Sequence, residues 1–95
     1  MRKFPELKKE WQEKTKYHSN YEISIGMMDS EYLELFVDLK INGEVVDSEC
    51  IMEIDGIANG GNGPTKEMLA KFKYAVNYFK KYFYNVTSNS KVIVV

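Results

Sequence analysis

The chain has little of what most enzymes and secreted proteins rely on. It contains one cysteine, one histidine, one tryptophan and two prolines among 95 residues. A single cysteine, Cys50, excludes an intramolecular disulfide and points to a reducing, cytoplasmic setting. The lone histidine, His18, sits in a polar link with no serine, cysteine or carboxylate pattern around it, so no nucleophilic triad can be assembled. The longest clearly apolar run is Val92-Ile93-Val94-Val95, far short of the ~20 residues a membrane span needs. Arg2 and Lys3 lead into Pro5, Glu6 and further lysines rather than an apolar leader, so no signal peptide is expected. The glycine-rich stretch over residues 56–63 has neither the Gly-Lys-Ser/Thr order of a phosphate-binding loop nor dinucleotide spacing, and reads as a connector. An enzyme is not expected, and no cofactor or metal is implied.

What the chain does have is charge sorted along its length. Residues 29–55 hold nine carboxylates against one lysine, Lys40. The segments before residue 19 and after residue 63 are both net positive, and the formal total is only −1. Such sorting creates local fields that act on partners rather than on the fold. At 44% hydrophobic residues, the chain can build one modest core, hence a single domain over 1–95.

Residues 5–16 read as a helix, with Pro5 in the first turn and Phe4, Leu7, Trp11 and Thr15 on one face. Residues 21–28 and 32–41 alternate as strands, with Tyr21, Ile23, Ile25 and Met27, then Leu33, Leu35, Val37, Leu39 and Ile41, on one face. A three-residue loop, Asp29-Ser30-Glu31, would set Met27 opposite Leu33. Asn42-Gly43 is a strong two-residue hairpin signal. It predicts a third strand from about Glu44 to Ile54, with Leu39 opposite Val46, Val37 opposite Ser48, Leu35 opposite Cys50 and Leu33 opposite Met52. Cys50 then faces the core. A long helix over about 65–84 carries an apolar stripe including Met68, Phe72, Ala75, Phe79 and Phe83, flanked by Tyr74, Tyr78 and Tyr82, which are expected to pack near Trp11. Polar residues 87–90 break the pattern. Residues 91–95 form a last, apolar strand that either joins the sheet or pairs with a second copy of the chain. The fold class is α+β in the order α-β-β-β-α-β, with a mainly antiparallel sheet and both helices on one face.

The opposite sheet face is the candidate site. On the simple hairpin register it gathers Tyr32, Glu34, Phe36, Asp38, Asp47, Glu49, Ile51 and Glu53, with Asp38 against Asp47, Glu49 against Phe36 and Glu53 against Tyr32. Like charges directly opposite cost stability. Their presence suggests a docking surface for a basic protein, with acids steering the encounter and Tyr32, Phe36 and Ile51 supplying contact area. A Ca²⁺ or Mg²⁺ site at Asp38, Asp47 and Glu49 would need ligand spacing that is not there.

Two resemblances bear on function. Leu7 to Lys14, the hairpin from Tyr32 to Val46, and Gly63-Pro64-Thr65-Lys66 with Ala70-Lys71 resemble the first helix, central hairpin and second-helix start of the double-stranded RNA-binding domain. That resemblance implies duplex RNA as partner and Lys66 and Lys71 as phosphate contacts. Glu67 and the acidic loop after residue 28 oppose a phosphate backbone. In size, element order and acidity the chain is also similar to small phage-encoded anti-CRISPR proteins. This second resemblance implies an inhibitor that occupies the basic nucleic-acid channel of a CRISPR nuclease. The leading expectation is therefore a non-enzymatic protein docking its acidic face onto a basic nucleic-acid-binding protein, as a monomer or as a homodimer through the final strand.

Overall fold

A computed structural model describes residues 1–55 and 63–95; the connector read at 56–63 lies outside the described residues except for Gly63. The elements are α1 (Phe4–Thr15), β1 (Tyr21–Asp29), β2 (Leu33–Ile41), β3 (Glu44–Ile54), α2 (Lys66–Tyr82) and β4 (Val86–Val94). The architecture is α+β. A single sheet runs in the order β3-β2-β1-β4, antiparallel from β1 through β3 and parallel between β1 and β4, so it is mixed. Residues of both helices share one core with the inward residues of β1 and β2, leaving the other face of the sheet open.

Local chemistry sets the helix ends. Glu6 accepts the Lys3 backbone N–H at 3.4 Å and closes the first turn of α1. Thr65 caps α2 by accepting the Met68 N–H at 3.2 Å. The second helix stops short of residue 84 because Phe83 is already extended. Tyr84 N–H donates to the Tyr21 hydroxyl at 3.2 Å, and the Asn85 side-chain amide donates to the Tyr21 carbonyl at 2.9 Å. These bonds turn the chain straight into β4.

Strand β4 begins five residues before the expected Lys91. The polar residues after Val86 lack an apolar pattern, but the free edge of β1 offers them backbone partners, beginning with Ile23 N–H to Asn85 O at 2.9 Å. Between Ser88 and Val92 the chain bulges, with Lys91 N–H held by Asn89 Oδ1 at 3.0 Å. The final strand thus joins its own sheet.

The hairpin registers depart from the simple reading. Between β1 and β2 the pairs are Met27 with Leu35, Ile25 with Val37 and Ile23 with Leu39. A shift of two keeps every inward residue inward, and the loop becomes Ser30-Glu31-Tyr32. Between β2 and β3 the Asn42-Gly43 turn forms as expected, with φ of 53° and 83°. Two β-bulges then intervene, at Val46 and at Ile51. Leu39 faces Asp47, Val37 faces Glu49, Leu35 faces Met52 and Leu33 faces Ile54, in place of Val46, Ser48, Cys50 and Met52. Each bulge reverses the faces of the residues that follow. Asp47 and Glu49 are therefore turned toward the helices, and the second bulge returns Met52 and Ile54 to the inner side.

The core is built from Leu7 and Trp11 of α1, Met68, Ala75 and Phe79 of α2, and the inward residues of β1 and β2, all fully buried or nearly so. Trp11 packs on Phe79 at 5.7 Å. The tyrosine flank of α2 does not pack on Trp11 but on Phe4 and Lys8. No helix among the described residues is long and apolar enough to cross a membrane.

Candidate functional site: the open face of the sheet

Phe36 is the centre of the open face. It pairs with Gly26 on β1 and Cys50 on β3. A Cβ on Gly26 would lie 3.0 Å from Phe36 Cζ, so the ring rests directly over the glycine backbone. This explains the glycine in the middle of β1: it lets an aromatic ring lie across the sheet. Met28 stands beside it, paired with Glu34 on one side and Ile93 of β4 on the other. An apolar strip thus crosses the face from Ile93 through Met28 and Phe36 to Cys50.

Carboxylates border the strip. Glu34 and Glu53 are directly opposite each other at one side, and Asp38 and Ser48 at the other. Ser48 Oγ donates to Asp38 Oδ1 at 2.5 Å. Farther out, Glu22 accepts a bond from the Thr87 hydroxyl at 2.5 Å, and Lys40 pairs with Glu22 across β1 and β2. Phe36, Met28, Cys50, Glu34 and Asp38 line a shallow hollow of about 360 Å³ with Ser48 and Glu49 at its rim.

The predicted site residues divide into those that reach this face and those that do not. Glu34, Phe36, Asp38 and Glu53 lie on it. Tyr32 stands in the β1–β2 loop rather than opposite Glu53, and its carbonyl accepts the Ser30 N–H at 3.2 Å. Ile51, at the second bulge, is buried, not exposed. Asp47 and Glu49 turn toward Arg2 on the helix side, and Glu49 reaches only the rim of the open-face hollow. Arg2 binds Asp47 through both terminal nitrogens, at 2.7 and 3.0 Å, binds Glu49 through Nε at 2.8 Å, and reaches Glu10 at 2.6 Å. Asp47 also accepts the indole N–H of fully buried Trp11 at 2.8 Å. The like-charge pair expected between Asp38 and Asp47 does not form, since Asp38 faces Ser48, and Phe36 is paired with Cys50 rather than Glu49.

These contacts set the local electrostatics. The Arg2 guanidinium, and after it the Trp11 indole, hold the Asp47 carboxyl well below the usual carboxylate range, against the opposing effect of burial. Arg2 lowers Glu49 in the same way. Both acids are engaged by Arg2. Cys50 was expected in the core but lies on the open face; burial, with Glu34 and Glu53 nearby, raises its thiol pKa and disfavours the reactive thiolate. Glu34, Cys50 and Glu53 place their ligand atoms within 4.8 Å of one another, the only such trio among the described residues, and this trio is partly exposed.

Ile93, and with it the strip through Met28, escaped the sequence reading because only the sheet order places β4 beside β1. Lys66 and Lys71 are both exposed. Five positions apart, they lie about 140° apart around the helix and do not converge on one surface. Family models, curated proteins and solved structures yield no match to this chain.

Proposed function

We propose that this chain is a non-enzymatic binding protein that docks the open sheet face onto a basic, nucleic-acid-binding surface of another protein. The observation that carries this reading is the strip from Ile93 to Cys50, centred on Phe36 and bordered by Glu34, Glu53 and Asp38. An apolar centre with an acidic rim is the arrangement in which buried contact supplies affinity and charge supplies partner choice and encounter rate. The interaction would be electrostatic at its border and would weaken as salt is added. The resemblance to small anti-CRISPR proteins makes a CRISPR nuclease the first partner to try. Duplex RNA binding through Lys66 and Lys71 is less favoured, since those lysines point in different directions. A homodimer would use the outer edge of β4, because the strand itself is already paired.

The test uses variants of the open face alone. Binding to a CRISPR nuclease is measured by calorimetry with wild type and with Glu34→Lys combined with Asp38→Lys. The reading expects the double variant to lose most of its affinity at low salt. Unchanged binding by that variant would discard the sheet face as the docking surface. Phe36→Ala should cost about 2 kcal/mol of binding as the central anchor.

A further inference from the structure

The seam between α1 and α2 carries a second surface, independent of the sheet face and of opposite charge. Tyr74, Tyr78 and Tyr82 recur every fourth residue and share one flank of α2. Their ring centroids are separated by 6.2 Å and then 5.1 Å. Phe4 of α1 completes the row, stacked on Tyr74 at 5.7 Å and 15° and lying 5.2 Å from Tyr78. Phe4 and Tyr78 are packed against the core, while Tyr74 is 58% exposed and Tyr82 41%. Eight residues of helix extend it over about 12 Å.

Cations border this row. Lys8 places Nζ 4.4 Å from the centre of the Tyr82 ring. Lys71 lies one turn before Tyr74, and Lys81 one turn after Tyr78. At the Phe4 end the row opens into a cavity of about 340 Å³ whose lining includes Lys3, Phe4, Lys71 and Tyr74. Arg2 also lines that cavity but is committed to Asp47, Glu49 and Glu10. Of the α2 charges, Lys71, Lys81 and Glu67 share the flank of the row, Glu67 at its outer end beside Lys71 and Tyr74, whereas Lys66, Lys73 and Lys80 point away from it.

We infer that this seam is a binding platform for a short stretch of single-stranded nucleic acid. The exposed parts of Tyr74 and Tyr82 offer aromatic surface against which unpaired bases pack, and Lys8, Lys71 and Lys81 at the margins meet the phosphates. A duplex hides its base faces and cannot use the rings. An acidic peptide would satisfy the lysines but bring no planar groups to the row. The platform is short, so binding is weak, salt-sensitive and indifferent to sequence.

The experiment is fluorescence anisotropy with labelled oligo-dT and oligo-U of about ten nucleotides, at low salt and near 0.15 M salt. Binding should appear at low salt and fall steeply as salt is raised. Tyr74→Ala should weaken it about tenfold, the effect of losing one stacked base. Lys81→Glu, at an exposed position outside the aromatic row, should weaken it by a similar factor and guards against a folding defect in the tyrosine variant. Val45→Thr, at an exposed position of β3 outside both surfaces, should leave it unchanged. No binding at low salt would overturn the inference. So would equal competition by a duplex or by poly-glutamate, or wild-type affinity in both seam variants. None of these outcomes bears on the sheet face, whose variants and partner are different.

Discussion

Arg2 joins α1 to the edge of the sheet. Its guanidinium bonds to Asp47, Glu49 and Glu10, and its backbone N–H donates to Glu49 at 3.2 Å. Without it, two partly buried carboxylates would face each other's field beside Trp11. Arg2→Ala is expected to destabilise the protein by about 1–2 kcal/mol, more than an ordinary surface pair because the acids it leaves behind are partly desolvated. Urea unfolding would read this as a lower midpoint with an unchanged slope. The pH dependence has a definite sign. Asp47 and Glu49 have folded-state pKa values below their unfolded ones. Their contribution is fully present above the unfolded carboxylate pKa of about 4 and is lost as the pH falls through the folded values. The acid limb of stability should therefore be steep in wild type and flatter in Arg2→Ala. Equal acid limbs in the two proteins would refute this role.

Strand β3 shows how two bulges redistribute chemistry. Val46 and Ile51 are each an additional residue in the ladder, and only the segment between them has its faces exchanged. That exchange gives Trp11 and Arg2 their acceptor and leaves Cys50 against Phe36. It also disrupts the outer edge of the sheet, a recognised defence against edge pairing. On β1, Gly26 is the complement of Phe36. Gly26→Val should displace the ring from its place over the backbone and cost about 1–3 kcal/mol, with Gly26→Ala costing less because Phe36 can shift a few tenths of an ångström. Thermal unfolding together with the Phe36 ring resonances would check this. Undisturbed resonances in the valine variant would mean that the ring does not lie over Gly26.

Across the molecule, charge is layered. Helix α2 exposes five lysines and one glutamate, while the open sheet face carries Glu22, Glu34, Asp38 and Glu53 against Lys40. Opposite faces of two copies attract, and such a heterologous contact leaves a free face at each end of a pair to which further copies can add. Light scattering should therefore detect growing association as concentration rises at low salt, relieved near 0.1 M salt where the screening length falls to about 10 Å. Glu34→Lys with Asp38→Lys should abolish it. Association that persists in that variant would point instead to the edge of β4.

The α+β class, the element order and the inward faces of β1 and β2 follow from residue patterning alone. Alternation, helical spacing and the Asn42-Gly43 turn are local signals that survive a register shift of two. Patterning also placed Glu34, Phe36, Asp38 and Glu53 correctly on the open face, because they lie on β2 or beyond both bulges. The directions of Asp47, Glu49 and Cys50, by contrast, are set by packing between distant segments. A bulge leaves no mark in the alternation of a strand as mixed as Glu44–Ile54, and its cause, the need of Arg2 and Trp11 for an acceptor, lies more than thirty residues away. The early start of β4 was hidden for the same reason: polar residues become a strand when a neighbouring edge supplies their hydrogen bonds, and that edge exists only once the sheet has formed.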